Sequence, residues 1–349
     1  MAASKQKDWI SLLNVTACFA VVLMHTNSVF FSFSDTQRYW KTANVIVSTA
    51  YFAVPCFYMI SGATLISFRD RYTLRQYLSK RIMKTVIPFI AWSIIGILWS
   101  ILFRTITPPT EPLQLIKFFY NSTMDASVVS YYWFFPAIFS VYLCIPLFGA
   151  VPKEQRKEVF SYLVAAGFVI NLIVPFIKKV LFPSLSWKIS MPVATVPLLY
   201  AILGYLISEY PLSRKQRLAI YGCAVAGLVC NIVGNYFYSM AAGKTDRTLL
   251  GATLSAVVYS VGIFTWFRYY GNSLMEHSII AGLVGFLKQY TFGIYLTHWY
   301  VIRLIQRLPF VNVQSIVYRL GAPFVVIPLC VLLIWLLRKI PVVQKIVPQ

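Results

Sequence analysis

Long apolar stretches alternate with short polar ones along almost the whole chain. Runs of about 20 apolar residues, the length a helix needs to cross a bilayer core of about 30 Å, fall near 9–31, 44–68, 85–104, 131–150, 158–177, 192–208, 218–240, 248–268, 283–303 and 316–337. The pattern predicts about ten membrane-spanning helices. The run at 192–208 is short and carries Pro192 and Pro197, whose missing N–H groups interrupt a helix. No linker, composition shift or fixed-period repeat divides the chain, so residues 1–349 read as one all-α, polytopic integral membrane domain.

Composition narrows the class further. Of the 349 residues 59% are hydrophobic and 12% charged, whereas soluble proteins carry about 25% charged residues. Too little polar material remains to coat a water-facing surface, which excludes an ordinary soluble enzyme, a disordered regulator and a secreted disulfide-rich domain. The net charge of +21, from 31 basic against 10 acidic residues, would point to nucleic acid in a soluble protein. Here the basic residues sit in short loops between apolar runs, so membrane topology and anionic lipid headgroups explain them and no nucleic-acid partner is expected. The six cysteines all fall inside apolar runs without a CxxC pair or a histidine cluster, and read as small buried hydrophobes.

The loops also orient the chain. Arg69, Arg71, Arg75, Lys80, Arg81 and Lys84 crowd the loop 69–84, opposed only by Asp70. The positive-inside rule then places this loop, and with it both termini, in the cytoplasm. The stretch ahead of Asp8 is too short for a domain, and no small-residue cleavage site follows the first run, so no cleaved signal peptide is expected.

Candidate chemistry lies inside the spans, where polar residues are costly and raise a functional hypothesis. His25 stands in the first run, within FAVVLMHTNSVF, and His298 in the ninth, within FGIYLTHWYVI. By helix rise His25 is roughly 24 Å beyond Trp9, and His298 roughly 22 Å beyond Leu283 if the ninth run is one outward helix. Both then lie at similar depth in the outer half of the membrane. Asn14 and His25 are eleven residues apart, which returns to within about 20° of the same helix face and separates them by roughly 16 Å. In the basic loop, Arg75, Arg81 and Lys84 suit either a phosphate-bearing cytosolic ligand or anionic lipid. Ser61-Gly62, in FYMISGATL, permits close helix packing or a break where backbone meets a ligand. The aromatics of SYYWFFPAIF suit an interfacial belt or the wall of a sugar site.

In this order the segments resemble the acyltransferase-3 family of membrane O-acyltransferases. SLLNVTACFAVVLMHTN is similar to that family's opening helix, which ends in a histidine after VVxxH. VPCFYMISGATL is similar to its VPxFFxxSG second-helix pattern, YLSKRIMKTVIPFIAW to its basic stretch, YYWFFPAIFSVYLCIPLF to its fourth helix, and FGIYLTHW to its late YLxH motif. The five matches run in family order across residues 9–300, with the middle too variable to add weight. One departure stands out: the family commonly has Arg eleven residues before the histidine, and this chain has Asn14.

The resemblance implies an O-acetyltransferase in the multi-pass cell membrane, with a bacterial source expected. Acetyl-CoA is then the co-substrate, with no bound cofactor and no metal, and a cell-envelope glycan or lipid-linked sugar is the acceptor. Arg75, Arg81 and Lys84 would hold the CoA phosphates, with Asn14 at the family's arginine position. His25 would act as general base or as covalent acyl acceptor. Ser61 would orient the thioester, and His298 or Tyr295, with Tyr132 and Trp133, would position the acceptor. The rival reading is a transporter or flippase for a lipid-linked saccharide, without covalent chemistry.

Overall fold

The computed structural model describes residues 8–182 and 184–348. Among these residues there is no strand, and every apolar run of the sequence is helical. Fifteen α-helices follow one another: α1 (Asp8–Thr26), α2 (Arg38–Ala50), α3 (Ala53–Leu65), α4 (Leu74–Arg81), α5 (Ile87–Leu102), α6 (Pro112–Met124), α7 (Phe134–Phe148), α8 (Lys153–Gly167), α9 (Val174–Leu181), α10 (Val196–Glu209), α11 (Arg214–Ala242), α12 (Leu254–Leu274), α13 (Ser278–Leu287), α14 (Thr291–Ile305) and α15 (Ile316–Leu337). The chain is therefore an all-α, polytopic membrane protein. The residues ahead of Asp8, and Gln349, the termini expected in the cytoplasm, lie outside the described residues.

Among the described residues, seven stretches are long and apolar enough to cross a bilayer unaided, or eight if α13 and α14 count as one span. The difference from ten has local causes. The run at 192–208 begins its helix at Val196, so α10 has only 14 residues, roughly 21 Å. Pro197 falls in its first turn rather than interrupting it, where a missing N–H costs nothing. Most of α10, from Leu198 to Tyr205, is buried, so protein rather than lipid surrounds that stretch. The run at 248–268 becomes α12, which carries Ser255, Ser260, Thr265 and Arg268 and buries the first three. The run at 283–303 is not one straight helix. It breaks after Leu287, and α13 and α14 meet at 71°. His298 therefore cannot be placed by counting from Leu283.

Two spans contain π-helical turns, Ile82–Val86 and Phe168–Ile173. Each precedes a proline, Pro88 or Pro175, which withholds a donor and crowds the carbonyl four residues back. The centre of the molecule is α1, packed against α2, α3, α12, α14 and α15. Beside it α3 runs along α10 in a close crossing at Gly62 and Gly204, where a Cβ on either glycine would overlap the backbone of Ala201 or Met59 respectively. The Ser61-Gly62 pair thus serves close helix packing. On the outer faces Leu143, Leu147, Val225 and Phe324 stay exposed, as lipid contact demands.

One buried cation anchors the end of α3. Arg156, 3% exposed, donates to the carbonyls of Gly149 and Val151 and to the hydroxyls of Ser67 and Tyr205. The sequence offers it as a loop charge; the fold uses its five N–H donors as a staple.

Candidate active site

Two helices bring the histidines together. On α14, Thr291, Tyr295 and His298 are spaced by four and three residues and share a face. That face meets α1: Asn14 Nδ2 donates to Thr291 Oγ1 at 3.0 Å, and Cys18 Sγ contacts the Thr291 carbonyl at 3.6 Å. Further along α1 the His25 and His298 rings lie 5.2 Å apart between centroids. His25 is half-buried and His298 fully buried.

His298 Nδ1 is 3.0 Å from the Ile294 carbonyl. A carbonyl only accepts, so Nδ1 carries the proton and Nε2 of the neutral ring keeps a lone pair. That Nε2 is buried and has no hydrogen-bond partner. A third ring completes the cluster: Tyr131 stacks on His25 with centroids 3.4 Å apart and planes inclined by 18°. Tyr131 belongs to the short 3₁₀ turn Ser130–Trp133. Two tyrosine hydroxyls lock this turn to α14 in reciprocal fashion: Tyr295 donates to the Tyr131 carbonyl and Tyr132 to the Leu296 carbonyl, both at 2.6 Å.

Below the histidines lies a cleft of about 250 Å³, whose wall includes Asn14, Ser61, Thr64, Arg81, Thr291 and Tyr295. Tyr295 closes its inner end, with its ring 5.7 Å from that of His298. Arg81 stands at the other end between the rings of Tyr77 and Tyr142, and its Nε is buried without an acceptor. Ser61 turns its hydroxyl to its own helix, donating to the Phe57 carbonyl at 2.8 Å.

The structure thus brings Asn14, Ser61, Arg81 and Tyr295 to one cleft, with His25 and His298 beyond its inner end. It does not bring the others there. Arg75 is exposed and faces a separate apolar hollow with Leu74 and Met83, and Lys84 is exposed. Tyr132 is fully buried and committed to Leu296, while Trp133 is half-exposed on the surface. Sequence reasoning missed Tyr131 and Thr291. The four-and-three spacing of Thr291, Tyr295 and His298 could have exposed the second. Nothing in YYWFF says which of its rings turns inward.

A histidine pair buried among the spans thus stands over a cleft with a cation at its far end. The acyltransferase domain of the acyltransferase-3 family matches residues 7–335, nearly the whole chain, and the chain belongs to that family. It is a membrane acyltransferase. No curated protein and no solved structure matches it.

Proposed function

We propose that this protein is an O-acetyltransferase of a cell-envelope glycan or lipid-linked sugar, using cytosolic acetyl-CoA as donor and His25 as general base. The observation that carries the reading is the cleft itself, which runs from Arg81 to Tyr295 and ends beside His25 and His298. We place about ten crossings in the bilayer, with α10 and α12 sheltered inside, both termini and Arg81 on the cytoplasmic side, and the enzyme in the plasma membrane of a bacterium.

In this reading Arg81 meets a phosphate of CoA through the fork geometry that arginine offers to phosphate oxygens; its unpaired Nε supports that role. Arg75 and Lys84 contribute field at the cleft mouth rather than contacts within it. Asn14 lines the cleft as a neutral group whose amide is engaged by Thr291. The pantetheine arm extends along the roughly 16 Å from Asn14 to His25. The thioester lies at the inner end of the cleft, against Tyr295 and next to the histidines.

His25 then takes the proton from the acceptor hydroxyl as its oxygen attacks the thioester carbonyl carbon. The tetrahedral intermediate collapses, the C–S bond breaks, and the CoA thiolate recovers that proton from His25. Such base catalysis contributes about 10²–10⁴-fold. The Nε2 lone pair of His298 accepts a hydrogen bond from the acceptor and orients it. The test is radiolabelled acetyl-CoA turnover by detergent-purified protein. Label is released or transferred by wild type and falls by at least about 100-fold in His25→Ala, with binding of acetyl-CoA retained. Full turnover in a correctly inserted His25→Ala protein refutes the mechanism.

A further inference from the structure

A second cavity, of about 580 Å³, lies on the other side of the histidines from the cleft, with Trp99, Ser127, Trp299, Arg303, Gln306 and Arg307 in its wall. Building on the transferase reading above, we propose that this cavity is the acceptor subsite and that it selects a saccharide bearing a negative charge, a carboxylate or a phosphate.

Its place in the fold is the first argument. Helix α14 passes Thr291 and Tyr295 through the donor cleft, then His298, then Trp299 and Arg303 into this cavity. Arg303 is five residues past His298, roughly 7.5 Å along the axis. The opposite wall includes Ser127 and Val128, just ahead of the turn that holds Tyr131 on His25. A ligand seated here approaches the histidines from the side that the donor does not occupy, next to Trp299, the residue after His298.

Its chemistry is the second. Arg303 and Arg307 bring two guanidinium groups to one cavity, and neither has a carboxylate partner: among the described residues the single ion pair, Lys153 with Asp70, is elsewhere. Both cations are exposed and rest on rings, Arg303 at 5.7 Å from the Trp299 centroid and Arg307 at 3.8 Å from that of Phe103, which leaves both guanidinium groups open to an anion. Arginine pairs bidentately with carboxylate and phosphate. Trp299 is 95% buried, and its Nε1, a donor only, has no acceptor. Indole faces suit the C–H faces of a sugar ring, and Ser127, Thr105 and Gln306 supply groups for its hydroxyls. The volume falls within the roughly 300–1,000 Å³ of small-molecule sites.

The test does not depend on turnover. Ser127→Cys, in a chain carrying Cys223→Ala, is purified in detergent and labelled with a membrane-impermeant maleimide, with modification read at residue 127 by mass spectrometry. N-acetylglucosamine 1-phosphate or glucuronate should slow labelling by at least about ten-fold, at concentrations where neutral N-acetylglucosamine and inorganic phosphate do nothing. Arg303→Gln with Arg307→Gln should abolish this protection, and Arg303→Lys should weaken it, with all variants eluting as the wild type does. Equal protection by the neutral sugar, by inorganic phosphate alone, or in the double Gln variant overturns the proposal. So does protection by phosphatidylglycerol in nanodiscs that the sugar anions fail to displace, which makes the cavity a lipid headgroup site. CoA release by the same preparations tests the transferase reading separately. Protection without turnover leaves the anionic saccharide site standing, and turnover without protection removes it alone.

Discussion

The ring of Tyr131 sits on His25 because other residues hold it there. Its own hydroxyl is not the tether; the Tyr131 carbonyl is, through the Tyr295 hydroxyl. Removing that hydroxyl while keeping the ring therefore separates positioning from packing. Tyr295→Phe loses one hydrogen bond, a change of about 1 kcal/mol in stability. The turn Ser130–Trp133 keeps its second anchor through Tyr132, so the protein should still fold and still bind acetyl-CoA. CoA release should fall about ten-fold, equivalent to about 1.4 kcal/mol in the barrier. Initial rates at saturating acetyl-CoA check this, beside a thermal melt. An unchanged rate would mean that Tyr131 does not have to stay stacked on His25. Arg81 belongs to the same scale. Its guanidinium rests between two tyrosine rings, and Tyr77 in turn donates to the Tyr142 carbonyl at 2.9 Å.

That carbonyl is free because Pro146, four residues later, has no N–H to offer it. The device recurs at the level of whole elements. In α15 Pro323 leaves the Arg319 carbonyl without its intrahelical donor, and a vacant carbonyl at membrane depth must find a partner. It accepts from Thr26 Oγ1 at 3.0 Å and Asn27 Nδ2 at 3.1 Å, the two residues directly after His25. The guanidinium of the same Arg319, 2% exposed, donates to the Tyr39 carbonyl and the Thr42 hydroxyl. Pro323→Ala returns the donor to α15 and makes it compete with α1 for that carbonyl. The variant should fold at least as well as wild type, bind acetyl-CoA equally, and release CoA several-fold more slowly, because the C-terminal end of α1 is no longer held. Unchanged turnover would show that α1 holds His25 without α15. These element-level facts also mark how far the sequence can be read. Helix existence was legible, since periodic apolar runs leave one choice in a bilayer, and His25, Ser61, Arg81 and His298 stood out as polar groups in or beside them. The break between Leu287 and Thr291 was not, because Lys288-Gln289-Tyr290 carries neither glycine nor proline. Nor was the burial of Arg156 and Arg319, since the Ser67 and Tyr205 hydroxyls on the first and both partners of the second are brought from far along the chain. Which ring of Tyr131, Tyr132 and Trp133 faces inward depends on a 3₁₀ turn that aromatic composition does not encode.

At the scale of the molecule, α3 and α10 cross with no room between their backbones, while α1, α3 and α14 enclose the cleft. The crossing of α3 and α10 falls at Gly62 and Gly204. Gly62→Val drives a branched side chain into the Ala201 carbonyl and separates the two helices, which should cost at least about 3 kcal/mol and remove most folded protein from a size-exclusion profile, whereas Ser61→Ala on the neighbouring position should leave that profile unchanged. Arg81 marks the mouth of the cleft and Arg303 the far cavity, and α14 between them rises roughly 18 Å from Thr291 to Arg303. If the acyl group crosses while CoA stays behind, the two cavities must open to opposite sides of the membrane. Ser79, exposed on the helix that ends at Arg81, and Ser127, exposed in the wall of the far cavity, report on this directly. In right-side-out vesicles an impermeant maleimide should label Ser127→Cys at once and Ser79→Cys only after permeabilisation, each measured over the parent protein. Labelling of both from one side would leave the acceptor in the same compartment as the donor, and the enzyme would then acylate a cytoplasmic precursor before its export.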